Sequence, residues 1–268
     1  MRVLIRVSIL LAAVVMLSAC APTMKVVVNP IPADTTPAKV LEMVKAKEAG
    51  ITAMKASVRI RIEPKDKPES LFDGVFYAAK PSRYRLTANA FLGFTLFDVV
   101  LDGDKFYFYQ PSDGWLYTGP RAKFKGFLLE KGVNIDPETL FRSVFVGEPD
   151  SDYKYLVERG RAGDTYQIYT IKGGEGPFLP KVKGEYDLGL NLLRHTFYDD
   201  MSFPYMFVDV DGFQNVTGYQ LPQKLKVENR KDRYNAVITF YRYIINPETA
   251  PTDFTIQGGE LKGIRTVE

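Results

Sequence analysis

Hydrophobic and polar side chains alternate along most of the chain beyond residue 56. In the first such segment Val58, Ile60 and Ile62 alternate with Arg59 and Arg61, the period of two expected of a β-strand with one solvated face. The pattern predicts twelve further strands, at 73–79, 83–90, 95–102, 104–110, 114–118, 153–159, 164–172, 181–187, 191–199, 205–211, 221–229 and 234–245. Because turn signals separate these segments, we expect one mainly antiparallel α+β domain over 38–268.

Two segments carry helical signals instead. Thr36 can cap a helix that begins at Pro37 and ends before Gly50. A second, shorter helix is predicted at 136–146, where Asp136 is a suitable cap. The sequence therefore predicts an N-terminal helix and a short helix near the middle of the chain.

The N-terminal residues have the features of an export signal. Two arginines precede an apolar run of about ten residues, which is too short for an ordinary membrane-spanning helix of roughly 20. Small residues then lead to Cys20, the only cysteine in the chain. We interpret 1–19 as a signal peptide. A plain signal peptide followed by an incidental cysteine is the alternative.

Residues 17–19 together with Cys20 resemble the lipobox of bacterial lipoproteins. The resemblance implies cleavage before Cys20, a diacylglyceryl thioether on its sulfur, and acylation of the new amino terminus. Two or more acyl chains turn marginal adsorption into stable membrane anchoring. Ala21 stands where an aspartate would favour retention in the inner membrane, which implies an outer-membrane anchor and a periplasm-facing protein. Residues 20–37 contain four prolines and are expected to form an extended tether.

Composition argues against most catalytic and metal-dependent chemistry. One His and one Cys are too few for a metal site built on these ligands or for an internal disulfide. A net charge of +3 gives no support for nucleic-acid binding. His195 lies in an alternating segment and is expected to pack as a strand residue, while Asp98, Asp102 and Asp104 are expected to be solvated near hairpins. We therefore predict no enzyme activity, no catalytic residues, no cofactor and no metal.

Two segments, 91–97 and 201–207, are more hydrophobic than a connection between strands normally tolerates. One interpretation is that both pack into the core. The other is that their side chains line a cavity or protrude toward acyl chains, because a large apolar side chain in water forgoes roughly 1.5–3 kcal/mol of burial. The candidate acyl-chain contacts are Phe91, Leu92, Phe94, Phe97, Phe203 and Met206.

The order of elements and several short motifs resemble the periplasmic lipoprotein carriers of the LolA/LolB superfamily. The motifs are Lys80-Pro81-Ser82-Arg83-Tyr84-Arg85-Leu86, Phe91-Leu92-Gly93 and Asp102-Gly103-Asp104-Lys105-Phe106-Tyr107. The resemblance implies an unclosed β-barrel with a helical lid over an apolar cavity that receives acyl chains. For the LolB branch it also implies an apolar loop between early strands that reaches the membrane, and Phe91, Leu92 and Phe94 occupy that place.

Two functional hypotheses follow. The first is an outer-membrane-anchored lipoprotein that binds acyl chains of lipid or lipoprotein cargo in an apolar cavity, in envelope lipid or lipoprotein trafficking or assembly. The alternative is a scaffold lipoprotein with a filled core that docks another envelope protein through its β-sheet. A hydrolase that uses carboxylates alone is a third class, which no spacing of acidic residues favours.

Overall fold

The computed structural model describes residues 30–32, 34–90, 93–131, 153–172, 179–248, 251–256 and 261–268. In these residues the chain forms two α-helices, α1 (Pro37–Ala49) and α2 (Phe124–Glu130), and fourteen strands. The strands are β1 (Ala53–Pro64), β2 (Ser70–Ala79), β3 (Arg83–Asn89), β4 (Thr95–Asp102), β5 (Lys105–Gln110), β6 (Trp115–Pro120), β7 (Tyr153–Arg159), β8 (Thr165–Lys172), β9 (Pro180–Asp187), β10 (Leu192–Tyr198), β11 (Pro204–Val216), β12 (Tyr219–Asn229), β13 (Tyr234–Ile245) and β14 (Gly263–Thr266).

The strands β1 to β13 correspond to the thirteen that the alternating pattern predicts, with ends that differ by a few residues. The hairpin predicted at Asp102-Gly103 joins β4 to β5, and Gly103 adopts the left-handed φ of +55° that such a turn requires. Pro204 is the first residue of β11, a position where its missing N–H removes no interior ladder bond. The period of two therefore identifies thirteen of the fourteen strands in the described part of the chain.

The predicted N-terminal helix is confirmed as α1. The Thr36 side chain accepts a hydrogen bond from the backbone N–H of Lys39 at 3.4 Å, Pro37 is the first helical residue, and Gly50 follows the last. The helix predicted at 136–146 lies outside the described residues.

All fourteen strands form one sheet, in the order β14-β6-β5-β4-β3-β2-β1-β13-β12-β11-β10-β9-β8-β7. Every neighbouring pair is antiparallel except β14 and β6, which run parallel. In the part of the chain that the structure describes, the sheet ends at β14 and β7, and these two strands do not pair with each other. The expected fold class, a mainly antiparallel and unclosed β-barrel, is confirmed.

The sheet is strongly curled. Seven strand spacings separate β6 from β12, about 34 Å along a flat sheet. Yet Lys125 of α2, the helix that follows β6, lies 3.2 Å from Asp232 in the turn after β12, and 5.9 Å from the ring of Tyr205 on β11. Curling brings distant strands to opposite sides of one interior, and we call the side of the sheet that faces it the inner face.

Helix α2 covers the inner face near β5 and β6. The ring of Phe127 lies 5.2 Å from Phe106, 5.3 Å from Phe108 and 5.2 Å from Tyr117. Phe124 packs on Phe106 as well, at 5.2 Å. These aromatic contacts bury one side of a helix of only seven residues, which is too short to be stable alone.

Helix α1 covers the inner face at β8 to β10. Its two fully buried side chains, Val40 and Val44, join a cluster that contains Tyr166 of β8 and Tyr186 of β9. Beyond these contacts, the Lys47 ammonium donates to the carbonyl of Leu190 (3.0 Å) and to Asn191 Oδ1 (2.9 Å) in the turn before β10. The two helices thus cover opposite halves of the same face.

The outer face is solvated and carries ion pairs between neighbouring strands. Arg59 binds Asp73 with two hydrogen bonds of 2.7 and 3.0 Å, and both side chains are exposed. Arg194 also pairs with Asp209 across β10 and β11, through its Nε at 2.5 Å from Asp209 Oδ1. Such exposed pairs contribute little to stability but keep the outer face polar.

The expectation that Asp98 is a solvated carboxylate near a hairpin is wrong. The side chain is buried, and it accepts hydrogen bonds from Arg85 at 3.1 and 2.7 Å and from the Thr87 hydroxyl at 3.0 Å. The short 3-10 turn Pro251–Phe254 lies over this part of the outer face, and Arg85 also donates to the Asp253 carbonyl at 2.9 Å. The C-terminal segment therefore converts an outer-face position into a buried one.

The same segment supplies β14, which the sequence pattern does not indicate. Phe254 packs against Tyr77 at 5.0 Å, and the chain later runs beside β6, where the Arg265 guanidinium lies 4.0 Å from the Trp115 ring. Helix α2 was also not predicted, although Phe124, Phe127 and Leu128 have helical spacing. Both elements are short, so their structure is determined by tertiary contacts rather than by the local sequence pattern.

Two Arg–Asp pairs with like geometry and different burial allow a direct test of the fold. We expect Arg85→Ala to lower the free energy of unfolding by about 3 kcal/mol, because it leaves the buried Asp98 carboxylate without its cation. We expect Arg59→Ala to lower it much less than Arg85→Ala does, because Arg59 and Asp73 are both solvated. Equilibrium unfolding in guanidinium chloride measures both values. Equal losses for the two variants would contradict the conclusion that Asp98 is buried and Asp73 is solvated.

Candidate functional site

Six connections between neighbouring strands lie at one end of the sheet, because antiparallel strands alternate in direction. They are the connections that follow β1, β3, β5, β8, β10 and β12. We call this end the upper rim, and the opposite end the lower rim. Of the apolar segments 91–97 and 201–207, the described residues 93–94 and 201–203 lie in connections of the upper rim. The curled sheet therefore brings two segments that are far apart in sequence to the same end of the molecule.

Phe94 projects from the upper rim between β3 and β4 and is 70% exposed. A tight turn holds it there: the Gly93 N–H donates to the Ala90 carbonyl at 2.8 Å, and the Ala90 N–H donates to the Phe94 carbonyl at 2.7 Å. Gly93 has a φ of +81°, which an L side chain rarely adopts. The turn thus places a large aromatic ring in solvent.

The connection between β10 and β11 exposes two more apolar side chains. Met201 is 74% exposed and Phe203 is 63% exposed. Asp199 Oδ1 accepts hydrogen bonds from the backbone N–H groups of both residues, at 3.0 and 2.9 Å, and the Ser202 N–H donates to the Asp199 carbonyl at 3.0 Å. The loop is therefore pre-formed, with its apolar side chains directed outward.

Three large apolar side chains at one end of a protein are costly in water. Phe94, Met201 and Phe203 each forgo roughly 1.5–3 kcal/mol of burial. Met201 is not among the candidate contacts predicted from the sequence, although it lies in the apolar segment 201–207. Its exposure, which only the structure shows, identifies it. Exposed apolar groups of this kind are typical of surfaces that meet an apolar partner.

Phe97 and Met206 lie instead on the inner face, where both are buried. The Phe97 ring contacts Phe72 edge-on at 5.5 Å and stacks on Phe108 at 6.0 Å. Met206 is opposite Phe197 in the pairing of β10 and β11 and belongs to the same cluster as Phe97. The structure therefore divides the described candidates into an exposed pair, Phe94 and Phe203, and a buried pair.

The remaining candidates, Phe91, Leu92 and Cys20, lie outside the described residues. So do the signal peptide and most of the tether. Among the helices that the structure describes, none has the length and apolar character needed to cross a bilayer.

The inner face is apolar from β6 to β10. One cluster of buried side chains runs across it and includes Phe108 on β5, Leu86 on β3, Ile60 on β1, Ile238 on β13 and Val208 on β11. All five side chains are fully or almost fully buried, so this surface is covered. A face of this composition can hold apolar matter by the hydrophobic effect alone.

Tyrosines at the edges of this face stay uncharged. Burial raises the pKa of Tyr186 and of Tyr243 well above the usual range. The Tyr243 hydroxyl donates to the Pro222 carbonyl at 2.8 Å. The hydroxyls of Tyr166 and Tyr186, by contrast, are buried without a hydrogen-bond partner in the described part of the chain, and each such group costs about 1–3 kcal/mol.

The polar side chains of His195 and Asp211 contact neighbouring residues of the sheet. His195 is buried on β10 and meets the Phe197 ring edge-on at 6.0 Å. Asp211 is held by Lys224 and Lys226, and the two lysines lower the pKa of its carboxyl. No group of three or more His, Cys, Asp or Glu side chains that could hold a metal ion occurs in the ranges described.

The fold has counterparts among solved structures. A DUF1329 family protein from Desulfovibrio piger superposes with a TM-score of 0.61 at 13% identity, over 82% of this chain and 98% of its own. A domain of a putative outer membrane lipoprotein-sorting protein from Vibrio parahaemolyticus gives 0.60 at 12%, over 81% and 95%. A LolA superfamily protein from Nitrosomonas europaea gives 0.55 at 14%, over 83% and 98%. No protein-family model matches the sequence, and no curated protein matches it.

These identities are low, so the likeness is one of fold. It extends over more than four fifths of this chain and almost all of each counterpart, which makes the shared architecture the whole curled sheet rather than a fragment. The resemblance to the LolA/LolB superfamily that the sequence motifs indicate is confirmed at this level.

The division of the candidates into exposed and buried pairs can be tested by stability. We expect Phe97→Ala to lower the free energy of unfolding by about 3–5 kcal/mol, because it empties an aromatic cluster. Phe94→Ala should change it by no more than about 0.5 kcal/mol, because the ring is in solvent. Urea denaturation monitored by circular dichroism measures both, and a large loss for Phe94→Ala would show that its ring is packed.

Proposed function

The chain has the fold of LolA-superfamily proteins, and from this premise we propose that it is a lipid-anchored protein of the bacterial envelope that binds acyl chains of lipid or lipoprotein cargo. The observation that carries the proposal is the continuous apolar inner face from β6 to β10. Binding on that face needs no covalent step, because transfer of an acyl chain from water to an apolar surface is favourable by about 0.8 kcal/mol per methylene. Its role is binding and transfer within the envelope, not catalysis.

Helix α2 is the element best suited to act as a lid. It is seven residues long and is held to the inner face by Phe124, Phe127 and Leu128. In the described part of the chain, Lys125 connects it to the far side of the barrel mouth, through an ion pair with the largely buried Asp232 and a contact with the Tyr205 ring. Lifting α2 would expose aromatic rings of β5 and β6 to an incoming chain. The acyl chain would then replace the contacts that the helix gives up.

The upper rim is the part that would meet a lipid surface. Phe94 lies in the apolar loop that, in the LolB branch, is implied to reach the membrane, and Phe203 and Met201 project from the same rim. The described rim connections 65–69, 93–94, 111–114, 199–203 and 230–233 together contain five Lys or Arg and six Asp or Glu. With charges so nearly balanced, attraction to a bilayer would come from the apolar side chains rather than from net charge.

An anchor at Cys20 is compatible with this orientation. The Ile31 N–H donates to the Leu188 carbonyl at 3.0 Å, so the tether joins the body at the lower rim, just after β9. Ile31 is eleven positions after Cys20, about 34 Å at the extension of a proline-rich linker. The eight residues of β9 span about 26 Å. An extended tether of this length would reach past the upper rim, so the anchor and the rim could share one membrane, which we propose to be the outer membrane on its periplasmic side.

The alternative, a scaffold that docks another envelope protein, is favoured by one observation. The inner-face side chains are buried, as they would be in a solid core that holds no ligand. In that case the solvated outer face of the sheet would carry the function. The two functions differ in whether acyl chains reach the inner face.

Acyl-chain binding is tested on protein purified from membranes in mild detergent. Native mass spectrometry should show the mass of a diacylglyceryl group and an added acyl chain at Cys20, together with co-purifying lipid. The delipidated protein should then take up a fluorescent long-chain fatty acid, because the inner face is apolar. A folded protein that carries no lipid and takes up no probe would contradict the proposal and support the scaffold.

Contact of the upper rim with a bilayer is tested on the mature chain, residues 20–268, with Cys20→Ser to remove the anchor and leave no other cysteine. A polarity-sensitive fluorophore is attached through Phe94→Cys, through Phe203→Cys or, as a control on the outer face, through Tyr241→Cys. On mixing with phosphatidylcholine vesicles, both rim positions should shift to shorter wavelength because they enter an apolar medium.

The control position should not respond, since Tyr241 is exposed on β13 away from the upper rim. Raising the salt concentration should leave the rim shifts unchanged, because the rim charges nearly balance. An equal response at all three positions, or none at the rim, would rule out this mode of membrane contact.

A further inference from the structure

We propose that Tyr166 and Tyr186, paired across β8 and β9 beneath α1, form a polar subsite that binds the carbonyl oxygen of an acyl ligand. This inference rests on the proposed function and adds a head-group site to it. The carbonyl group can be that of a free fatty acid or of an ester, since both present the same acceptor.

The two phenols are neighbours on the inner face. Tyr166 lies directly opposite Tyr186 in the antiparallel register of β8 and β9, which places their Cβ atoms about 5 Å apart. Both side chains are at least nine-tenths buried, and neither hydroxyl has a hydrogen-bond partner in the described part of the chain. A buried donor normally has a partner, so two buried hydroxyls without one, on paired residues of neighbouring strands, indicate a missing acceptor.

A third polar group lies close to this pair. Gly184 faces His195 in the pairing of β9 and β10, and a Cβ at Gly184 would lie 2.7 Å from Tyr186 Cε2. That same point is 3.1 Å from Tyr186 Oη and 3.1 Å from His195 Nε2, so those two atoms are at most about 6 Å apart. Glycine at 184 thus permits the Tyr186 ring to fold inward, toward the imidazole.

The subsite sits at the edge of the apolar face. The same cluster contains Ile168 of β8 and Leu192 of β10, and Val210 of β11 packs against both this cluster and the main core. An acyl chain whose carbonyl group met the phenols could therefore run along the inner face toward β11 and β13. This arrangement would fix the end of the ligand by hydrogen bonds and its chain by apolar contact.

Phenol hydroxyls favour a ligand that accepts hydrogen bonds, rather than a strong acid or a cation. The Tyr186 phenol remains protonated at neutral pH, because burial raises its pKa well above the usual range. Neutral O–H groups donate to carbonyl and carboxylate oxygens alike. An n-alkane of the same length offers apolar contact but no acceptor, which separates the head-group contribution from that of the chain.

Access to the subsite requires α1 to shift. Only two side chains of α1, Val40 and Val44, are fully buried against this cluster, so a small displacement would uncover the phenols. Lys47, which joins α1 to the turn before β10, would keep the helix attached at its C-terminal end during such a movement.

The test uses Tyr166→Phe and Tyr186→Phe in the mature chain with Cys20→Ser. Affinities for a long-chain fatty acid, its methyl ester and the matching n-alkane are measured by competition with a fluorescent acyl probe. We expect each substitution to weaken binding of the acid and of the ester about fivefold to tenfold and to leave alkane binding unchanged, because only the hydroxyl is removed. A loss confined to the acid, or to the ester, identifies which of the two the subsite takes.

Tyr243→Phe is the matched control, since its hydroxyl already has a partner in the Pro222 carbonyl. It should lower stability and leave the preference for carbonyl ligands over the alkane intact. Without ligand, Tyr166→Phe and Tyr186→Phe should be as stable as the parent protein or more so. Infrared spectra of a carbonyl labelled with carbon-13 should lose the shift due to hydrogen bonding in the Tyr186→Phe complex.

The outcomes separate this inference from the function on which it rests. If the parent protein binds acid, ester and alkane equally and the Phe variants change nothing, acyl binding stands and the subsite is overturned. If the Phe variants lose stability as Tyr243→Phe does, the hydroxyls are satisfied within the protein, and the subsite is likewise overturned. If the parent binds none of the three ligands, the proposed function itself fails.

Discussion

The structure depends on keeping one apolar face of a very wide sheet away from water. Ile60, Leu86 and Ile238 lie on that face, and a flat sheet of fourteen strands would leave them exposed. Curling turns the face inward, and two short helices cover what curling leaves open. Neither α1 nor α2 buries many side chains of its own, so both depend on the sheet for their stability.

The same constraint explains why the upper rim is informative. A chain that buries its inner face so completely nevertheless holds Phe94 and Phe203 in solvent through turns closed by hydrogen bonds. Turns that expose aromatic rings cost stability, and the proposed contact of the rim with lipid would offset that cost. The rim and the inner face would then act in sequence, one at the bilayer and the other on the acyl chain.

Polar groups inside the protein are distributed unevenly. Asp98 and Tyr243 are buried with good partners, as expected of structural residues. Tyr166 and Tyr186 are buried without partners in the described part of the chain. A protein whose inner face serves only to fill a core would gain stability from phenylalanine at both positions, so the retained hydroxyls favour an inner face that binds ligands over one that is solely structural.

The sequence by itself determined the strands and the N-terminal helix, because period-two alternation, caps and turn residues act locally. The LolA-like architecture was implied by the resemblance of the motifs and element order to that superfamily, and the solved structures confirm it at the level of fold. It also located both apolar segments, but not which side chains are exposed: Phe94 and Phe97 are three residues apart, one in a turn and one on the inner face. The burial of Asp98, the helix α2 and the strand β14 were decided by the tertiary structure. Each depends on contacts between residues distant in the chain, which no local pattern encodes.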